Sequence, residues 1–178
     1  MDTGLLVKIT SRAWSIRILA LLAKGVPGRQ ASLLTASGAS RTAFGQSLQH
    51  LITLGLLERN PGHGHPLRPE YRLTRLGTEV AATAHKITQL FPTDHEVPLL
   101  RRAWTLPVLA VSGRPRFFAD IKSDLAPITD RALSQSLKQL MAEGWVDRRI
   151  NATAHPPRPL YQAANDGARI QSLIASTP

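Results

Sequence analysis

The stretch GQSLQHLITLGLLER, residues 45–59, returns in altered form as SQSLKQLMAEGWVDR at residues 134–148. In both copies, leucines recur every three or four residues and a glycine closes the run, a pattern typical of an amphipathic helix that ends at that glycine. An apolar and charged segment with strand-like content follows each glycine. We therefore predict a helix followed by a strand at both places.

Two further matches show that the repetition extends beyond this stretch. The triplet Arg12-Ala13-Trp14 returns as Arg102-Ala103-Trp104, and HPLRPEY at residues 65–71 returns as HPPRPLY at residues 155–161. All of these matches occur in the same order along the chain. The sequence therefore predicts two diverged copies of one structural unit.

The first half of each unit is predicted to be helical. In the first unit, Trp14, Ile18 and Leu21 fall on one side of a helix that ends near Gly25. A second short helix fits residues 29–36, and the segment after it contains a turn.

A third helix and a hairpin complete the unit. Ser40 is a good N-cap for this helix. Its inward-facing residues are predicted to be Phe44, Leu48 and Leu51. Residues 56–59 and 70–73 have strand-like content and enclose a loop rich in Pro, Gly and His, which predicts a β-hairpin. The order helix, helix, turn, helix, hairpin is that of a winged helix-turn-helix.

The second unit repeats this order with two departures. A helix is expected around Trp104, Val108 and Val111, another over residues 117–124, and a third, capped by Thr129, with Leu133, Leu137 and Leu140 inside. Pro107 would break a helix interior, so the first helix is expected to start late or to kink. Thr74, the predicted cap of the helix after the first hairpin, aligns with Ala164, and Asn165 is expected to replace it.

The predicted fold class is mainly α with small β-hairpins (α+β). We place the first winged helix-turn-helix domain at residues 1–77, a connecting helix and linker at 78–98, and the second domain at 99–178. Residues 78–91 carry one apolar side, which predicts a helix, and a short, proline-marked linker follows. Such a linker predicts that the two units pack in a fixed relation.

Composition limits the classes of function. The chain has 178 residues, a net charge of +10 and a pI near 11.2, which favours an anionic partner such as nucleic acid. It has no cysteine, hence no disulfide, no thiol nucleophile and no Cys-based zinc site. The longest apolar run, residues 18–23, is too short to span a bilayer. We expect a cytoplasmic, nucleoid-associated protein with no cofactor.

Residues 104–150 and 155–167, together with WSIRILALLAKG and PLRPEYRLTRLG in the first unit, resemble the HxlR family of bacterial winged-helix transcription factors. Members are usually single-unit chains that dimerise through terminal helices and bind a palindrome. Two units in one chain therefore imply an internal pseudo-dimer. Many members sense signals through a cysteine, and that mode does not carry over to this chain.

The third helix of each unit presents a polar face opposite its apolar stripe. Arg can bind guanine edges and Gln can bind adenine edges in the major groove, where such a helix docks. The other interpretation is an ordinary solvated helix face. Gly45 in mid-helix is unfavourable unless something must approach its backbone closely. The candidate base-reading residues are Arg41, Thr42, Gln46 and Gln49, with Arg131, Ser134, Gln135 and Lys138.

The hairpins are predicted to be basic wings that contact phosphates or a narrow minor groove. Prolines on both sides of Arg68 and Arg158 predict loops that hold these arginines outward. A metal site at His63 and His65 is the weaker interpretation, because no further ligand stands near them in the sequence. The candidate wing residues are Arg59, His65, Arg68 and Arg72, with Arg148, Arg149, His155 and Arg158.

The sequence thus predicts a transcriptional regulator that binds specific double-stranded DNA, as one chain on both halves of its site. No nucleophile elbow, phosphate loop or metal motif supports an enzyme. Two alternatives remain, a tandem winged-helix scaffold that binds protein and a plasmid-type replication initiator. The sequence does not identify an effector, an operator or target genes.

Overall fold

The computed structural model describes residues 1–60, 69–91, 98–152 and 156–177. The first unit consists of α1 (Thr3–Thr10), α2 (Ser15–Ala23), α3 (Gln30–Ser37), α4 (Arg41–Thr53), β1 (Leu57–Arg59), β2 (Tyr71–Leu73) and α5 (Arg75–Gln89). The second consists of a 3-10 helix (Pro98–Arg101), α6 (Thr105–Val111), β3 (Arg116–Phe117), α7 (Phe118–Asp124), α8 (Asp130–Ala142), β4 (Val146–Asn151), β5 (Arg158–Ala163) and α9 (Asn165–Ala175). The element order confirms two tandem winged helix-turn-helix units.

The helix-turn-helix of each unit forms as the apolar stripes predict. In α4, Phe44, Leu48 and Leu51 are buried, and in α8 Leu133, Leu137 and Leu140 are buried. The Ser40 hydroxyl accepts a hydrogen bond from the Ala43 amide at 3.3 Å, and the Thr129 hydroxyl accepts from the Ala132 amide at 3.2 Å. These caps satisfy amides that have no partner within their helices.

Pro107 is accommodated by a late helix start. Helix α6 begins at Thr105, so Pro107 lies in its first turn, where backbone amides lack an intrahelical partner and a proline removes no hydrogen bond. Trp104 precedes the helix and packs, half-buried, against the core. Val111, which was predicted to lie inside, is also only half-buried because it is the last residue of this short helix.

The role expected of Asn165 was wrong. Thr74 caps α5, because its hydroxyl accepts from the Gly77 amide at 3.0 Å and also donates to the Gly55 carbonyl at 2.6 Å. At α9 the N-cap residue is Ala164, which has no side-chain cap bond. Asn165 has a positive φ of 48°, and its side-chain amide donates to the Gly144 carbonyl at 2.9 Å. Asn165 therefore makes the counterpart of the bond between Thr74 and the Gly55 carbonyl. The N-terminus of α9 has no counterpart of the cap bond that Thr74 makes at α5.

The wings are antiparallel hairpins of unequal length. In the first, β1 pairs with β2, and Leu57 lies opposite Leu73. In the second, the strand order is β3-β5-β4. Arg158, which was predicted to lie on a loop, is instead the first residue of β5 and lies opposite Asn151. The Ala163 amide points away from β4, and the nitrogen of Pro159, four residues earlier on the same strand, points the same way. Pro159 also lies beyond the last residue of β5 that pairs with β3. The strand therefore loses no hydrogen bond at this proline.

The two units pack against each other as an internal pseudo-dimer. Helix α1 of the first unit packs on α6 of the second, and α5 packs on α9. The hydroxyls of Thr83 and Thr177 share a buried hydrogen bond of 2.6 Å. The rings of Phe91 and Trp145 stack with centroids 5.3 Å apart. The predicted fixed relation is thereby confirmed, while the domain boundaries at residues 77 and 98 stay a prediction.

Candidate nucleic-acid interface

Helices α4 and α8 each carry an exposed polar face opposite their buried stripe. In α4 the exposed residues include Arg41, Thr42, Gln46 and Gln49, and in α8 they include Arg131, Ser134, Gln135 and Lys138. All eight candidate base-reading residues therefore lie on the surface, in two sets of four. The buried stripes of both helices belong to one continuous hydrophobic core.

The N-terminal ends of the two helices differ in charge. Helix α4 begins with Arg41, whereas α8 begins with Asp130. The Asp130 carboxylate accepts from the Lys122 ammonium at 2.6 Å, which ties α8 to α7. Both side chains are well exposed, so this pair is worth at most about 1 kcal/mol and can yield to a phosphate. The two helices thus offer an anion different electrostatic surroundings.

Gly45 lies half-buried on the exposed side of α4, and no packing among the described residues requires it. A Cβ built on Gly45 would have none of their atoms within 4 Å, apart from the neighbouring backbone of its own helix. By contrast, a Cβ on Gly77 would lie 1.9 Å from the Leu56 carbonyl oxygen, so the fold itself requires that glycine. The helical position of Gly45 costs about 1 kcal/mol relative to alanine. The open space at Gly45 is compatible with close approach of another molecule.

The C-terminal half of α4 is fastened to α1 through His50. The ring nitrogen Nε2 lies 2.7 Å from the Lys8 carbonyl oxygen and 3.2 Å from the Ser11 hydroxyl. A carbonyl oxygen only accepts, so Nε2 carries the hydrogen in this arrangement. Sequence reasoning missed this contact because it assigned no helix to the first ten residues. His50 therefore connects α4 to the helix that packs on the other unit.

Both wings place one arginine opposite a tyrosine whose ring is buried. Arg59 pairs across the hairpin with Tyr71, and Arg148 pairs with Tyr161. Both arginines are exposed, and both tyrosines are buried. Cross-strand partners point to the same face of a ribbon, so Arg59 and Arg148 extend the core-facing side of their wings. They are equivalent positions in the two units.

The other wing arginines face the opposite side or have partners. Arg72 donates to Glu58, its cross-strand neighbour, at 2.6 Å. Arg149 lies 3.7 Å from Asp147. The Arg158 guanidinium lies 4.9 Å from the centroid of the Phe117 ring, which immediately precedes α7. His65, Arg68 and His155 lie outside the described residues, as does His63.

The exposed ion pairs leave these wing cations available to a stronger anion, because pairs between exposed side chains contribute little stability. In the described parts of the chain, no three His, Asp or Glu side chains lie together as a metal site would require. None of the helices there is long and apolar enough to cross a membrane. The exposed side chains of α4, α8 and the two wings supply hydrogen-bonding groups and positive charge.

Comparisons with known proteins identify the family of the chain. A family model described as HxlR-like helix-turn-helix matches residues 9–95 and again residues 99–177. A solved structure described as a putative MarR-family transcriptional regulator from Porphyromonas gingivalis W83 is 22% identical, with a TM-score of 0.41 over 47% of this chain and 87% of that one. No curated protein matches the chain. The two family matches cover both units, and the chain belongs to the HxlR-like helix-turn-helix family of DNA-binding transcription regulators.

Proposed function

We propose that this protein is a sequence-specific regulator of transcription that binds double-stranded DNA with both units of one chain. The observation that carries the proposal is the pair of exposed polar faces on α4 and α8, in two units that pack against each other through other helices. In two-fold dimers of this architecture, recognition helices enter successive major grooves about 34 Å apart. A covalent pair supplies the same arrangement without a second chain.

The recognition helices would read base edges. Arg41 and Arg131 suit guanine, Gln46, Gln49 and Gln135 suit adenine, and Thr42, Ser134 and Lys138 complete the set. The wing residues would bind phosphates: Arg59, His65, Arg68 and Arg72 in the first unit, and Arg148, Arg149, His155 and Arg158 in the second. A protein with this function would act on the nucleoid, in the cytoplasm.

The two half-sites should differ. Arg41 begins α4, whereas Asp130, paired with Lys122, begins α8, and Gly45 corresponds to Ser134 in the repeat. These differences change both charge and shape where the helices would enter the groove. The preferred site is therefore an imperfect palindrome with unlike halves.

A site-selection experiment with random duplexes tests the proposal. Wild-type protein should enrich a defined sequence, and its affinity for that sequence should fall steeply with salt as counterions are released. Arg131→Ala or Gln135→Ala should relax base preference in one half, whereas Arg148→Ala should weaken all sequences more evenly.

Three results would oppose the proposal. Absence of DNA binding at low salt would refute it. Salt-insensitive capture of a protein without DNA binding would favour the scaffold alternative. Enrichment of repeated origin-like sites would favour the replication initiator.

A further inference from the structure

The triplets Arg12-Ala13-Trp14 and Arg102-Ala103-Trp104 precede α2 and α6 and have no part in the interface described so far. Arg12 and Arg102 are both exposed. Within the described parts of the chain, neither forms an ion pair with a carboxylate. They are two solvent-facing positive charges at equivalent positions of the repeat.

These two segments meet at the boundary between the units. The Thr10 hydroxyl donates to the Ala103 carbonyl oxygen at 2.7 Å. The Arg101 guanidinium lies 4.8 Å from the centroid of the Trp14 ring. We call this contact between residues 10–14 and 100–104 the crossing. Residues 10–14 therefore lie against residues 100–104. Arg12 and Arg102 thus lie at equivalent positions of the two segments that meet at the boundary between the units.

Helix α1 shows which side of the molecule this crossing occupies. Its eight residues span about 12 Å. At its N-terminal end, the Met1 ammonium donates to the carbonyls of Ile174, at 3.1 Å, and of Thr177. Its C-terminal end reaches the crossing through Thr10. Recognition helix α4 contacts that same C-terminal end, through His50 and the Lys8 carbonyl. The C-terminal end of α1 therefore contacts both α4 and the segment that contains Arg102.

We infer that Arg12 and Arg102 bind backbone phosphates at the centre of the DNA site, between the two half-sites. This inference rests on the proposed DNA-binding function. On a two-fold arrangement, residues that flank the axis on the recognition side face the DNA midway between the major grooves that the two helices enter. A guanidinium presents a fork of donors that fits a phosphate, and each contact releases counterions. The central pair would position the duplex without reading its sequence.

The test compares two matched pairs of substitutions. Arg12→Gln/Arg102→Gln removes both charges and keeps polar side chains of similar length. Lys24→Gln/Arg114→Gln is the control: it removes two exposed charges at repeat-equivalent positions after the far ends of α2 and α6. Helix α2 is nine residues long, so the control charge lies about 14 Å or more from the crossing. Thermal unfolding of both variants checks that each remains folded.

Three readouts use the duplex selected by the wild-type protein. The slope of log K against log salt should become shallower by about 2 in the Arg12/Arg102 variant, because each of the two lost phosphate contacts contributes about 0.9. Hydroxyl-radical protection should disappear at the centre and persist in the half-sites. Neutral methylphosphonates at the central phosphates should weaken the wild type and the control variant but leave the Arg12/Arg102 variant unchanged.

The outcomes separate this inference from the proposed function. If the wild type binds with a steep salt slope and the Arg12/Arg102 variant keeps that slope and its central protection, the inference is wrong and the proposed function stands. If the control pair removes sensitivity to the central methylphosphonates equally, the effect is one of overall charge, and the inference is also wrong. If the wild type binds no duplex, the proposed function itself fails. If the glutamine variant does not fold, Arg12→Lys/Arg102→Lys replaces it. The DNA centre should stay protected from hydroxyl radicals, while the affinity should fall because lysine cannot bind a phosphate with two donors. A loss of contacts in the half-sites instead would oppose the inference.

Discussion

Gly45→Ala should make the protein more stable and a weaker DNA binder. Alanine is favoured over glycine in a helix interior by about 1 kcal/mol. Among the residues that the structure describes, an added methyl group at Gly45 meets no atom within 4 Å outside the backbone of its own helix, so no clash with them offsets this gain. In a protein of this size, about 1 kcal/mol raises the melting temperature by about 2–4 °C.

The loss of affinity has a separate cause. If a base edge approaches the backbone at Gly45, the methyl group occupies that space, and an extra methyl in a closely packed contact costs about 1–3 kcal/mol. This cost corresponds to a Kd raised by about fivefold or more. Because only α4 carries the change, the loss should be confined to the half-site that α4 reads.

Calorimetry and binding titrations on the same protein samples measure both effects. Gly45→Ser, which copies the residue of α8 at this position, should lose affinity in the same half-site because it also adds a Cβ. A variant that is less stable than the wild type would contradict the open space around Gly45. A more stable variant with unchanged affinity for every duplex would refute the close approach of DNA to this helix.

Two further predictions concern the fold. Thr83→Val should lower the free energy of unfolding by about 0.5–1.5 kcal/mol because it removes the bond to the Thr177 hydroxyl, which keeps its 2.9 Å bond to the Leu173 carbonyl. In a denaturant titration, the effects of Thr83→Val and Thr177→Val should be less than additive, because both substitutions remove this one bond. Thr74→Ala should destabilise the protein by about 1 kcal/mol or more because it removes the cap bond of α5. Ala164→Thr should stabilise it by up to about 1 kcal/mol, because Ala164 is the N-cap of α9, has an extended conformation and makes no side-chain bond. Fully additive effects of the two valine substitutions, or a destabilising Ala164→Thr, would contradict these contacts.

The helix-turn-helix of each unit could be predicted because its signals are local. The stripes of α4 and α8, the caps Ser40 and Thr129, and the glycines that end these helices all act over a few residues. The internal repeat then supplied a second, independent copy of each signal. Exposure of the candidate base-reading residues follows from the same periodicity.

Helix α1 could not be predicted in this way because its stability comes from distant residues. An isolated helix of eight residues is marginal in water. Its residues Leu6 and Ile9 are completely buried, in a helix that packs on α6, more than ninety residues along the chain. Its contact with His50 was therefore missed as well.

The partners of the wing arginines depend on pairing register, which the sequence does not determine. Arg72 meets Glu58 because these two residues are directly opposite across the hairpin. Arg158 joins β5 although prolines flank it, because the side of Pro159 that lacks an N–H faces away from β4. Both facts follow from the alternation of hydrogen-bonded pairs rather than from residue type.

The stoichiometry of the DNA complex tests the central claim most directly. Light scattering of the protein with its minimal selected duplex should give one chain per duplex, and that duplex should bind more tightly than derivatives in which either half is duplicated symmetrically. Two chains per minimal duplex, or tighter binding to a perfect palindrome, would contradict an internal pseudo-dimer with two different reading helices.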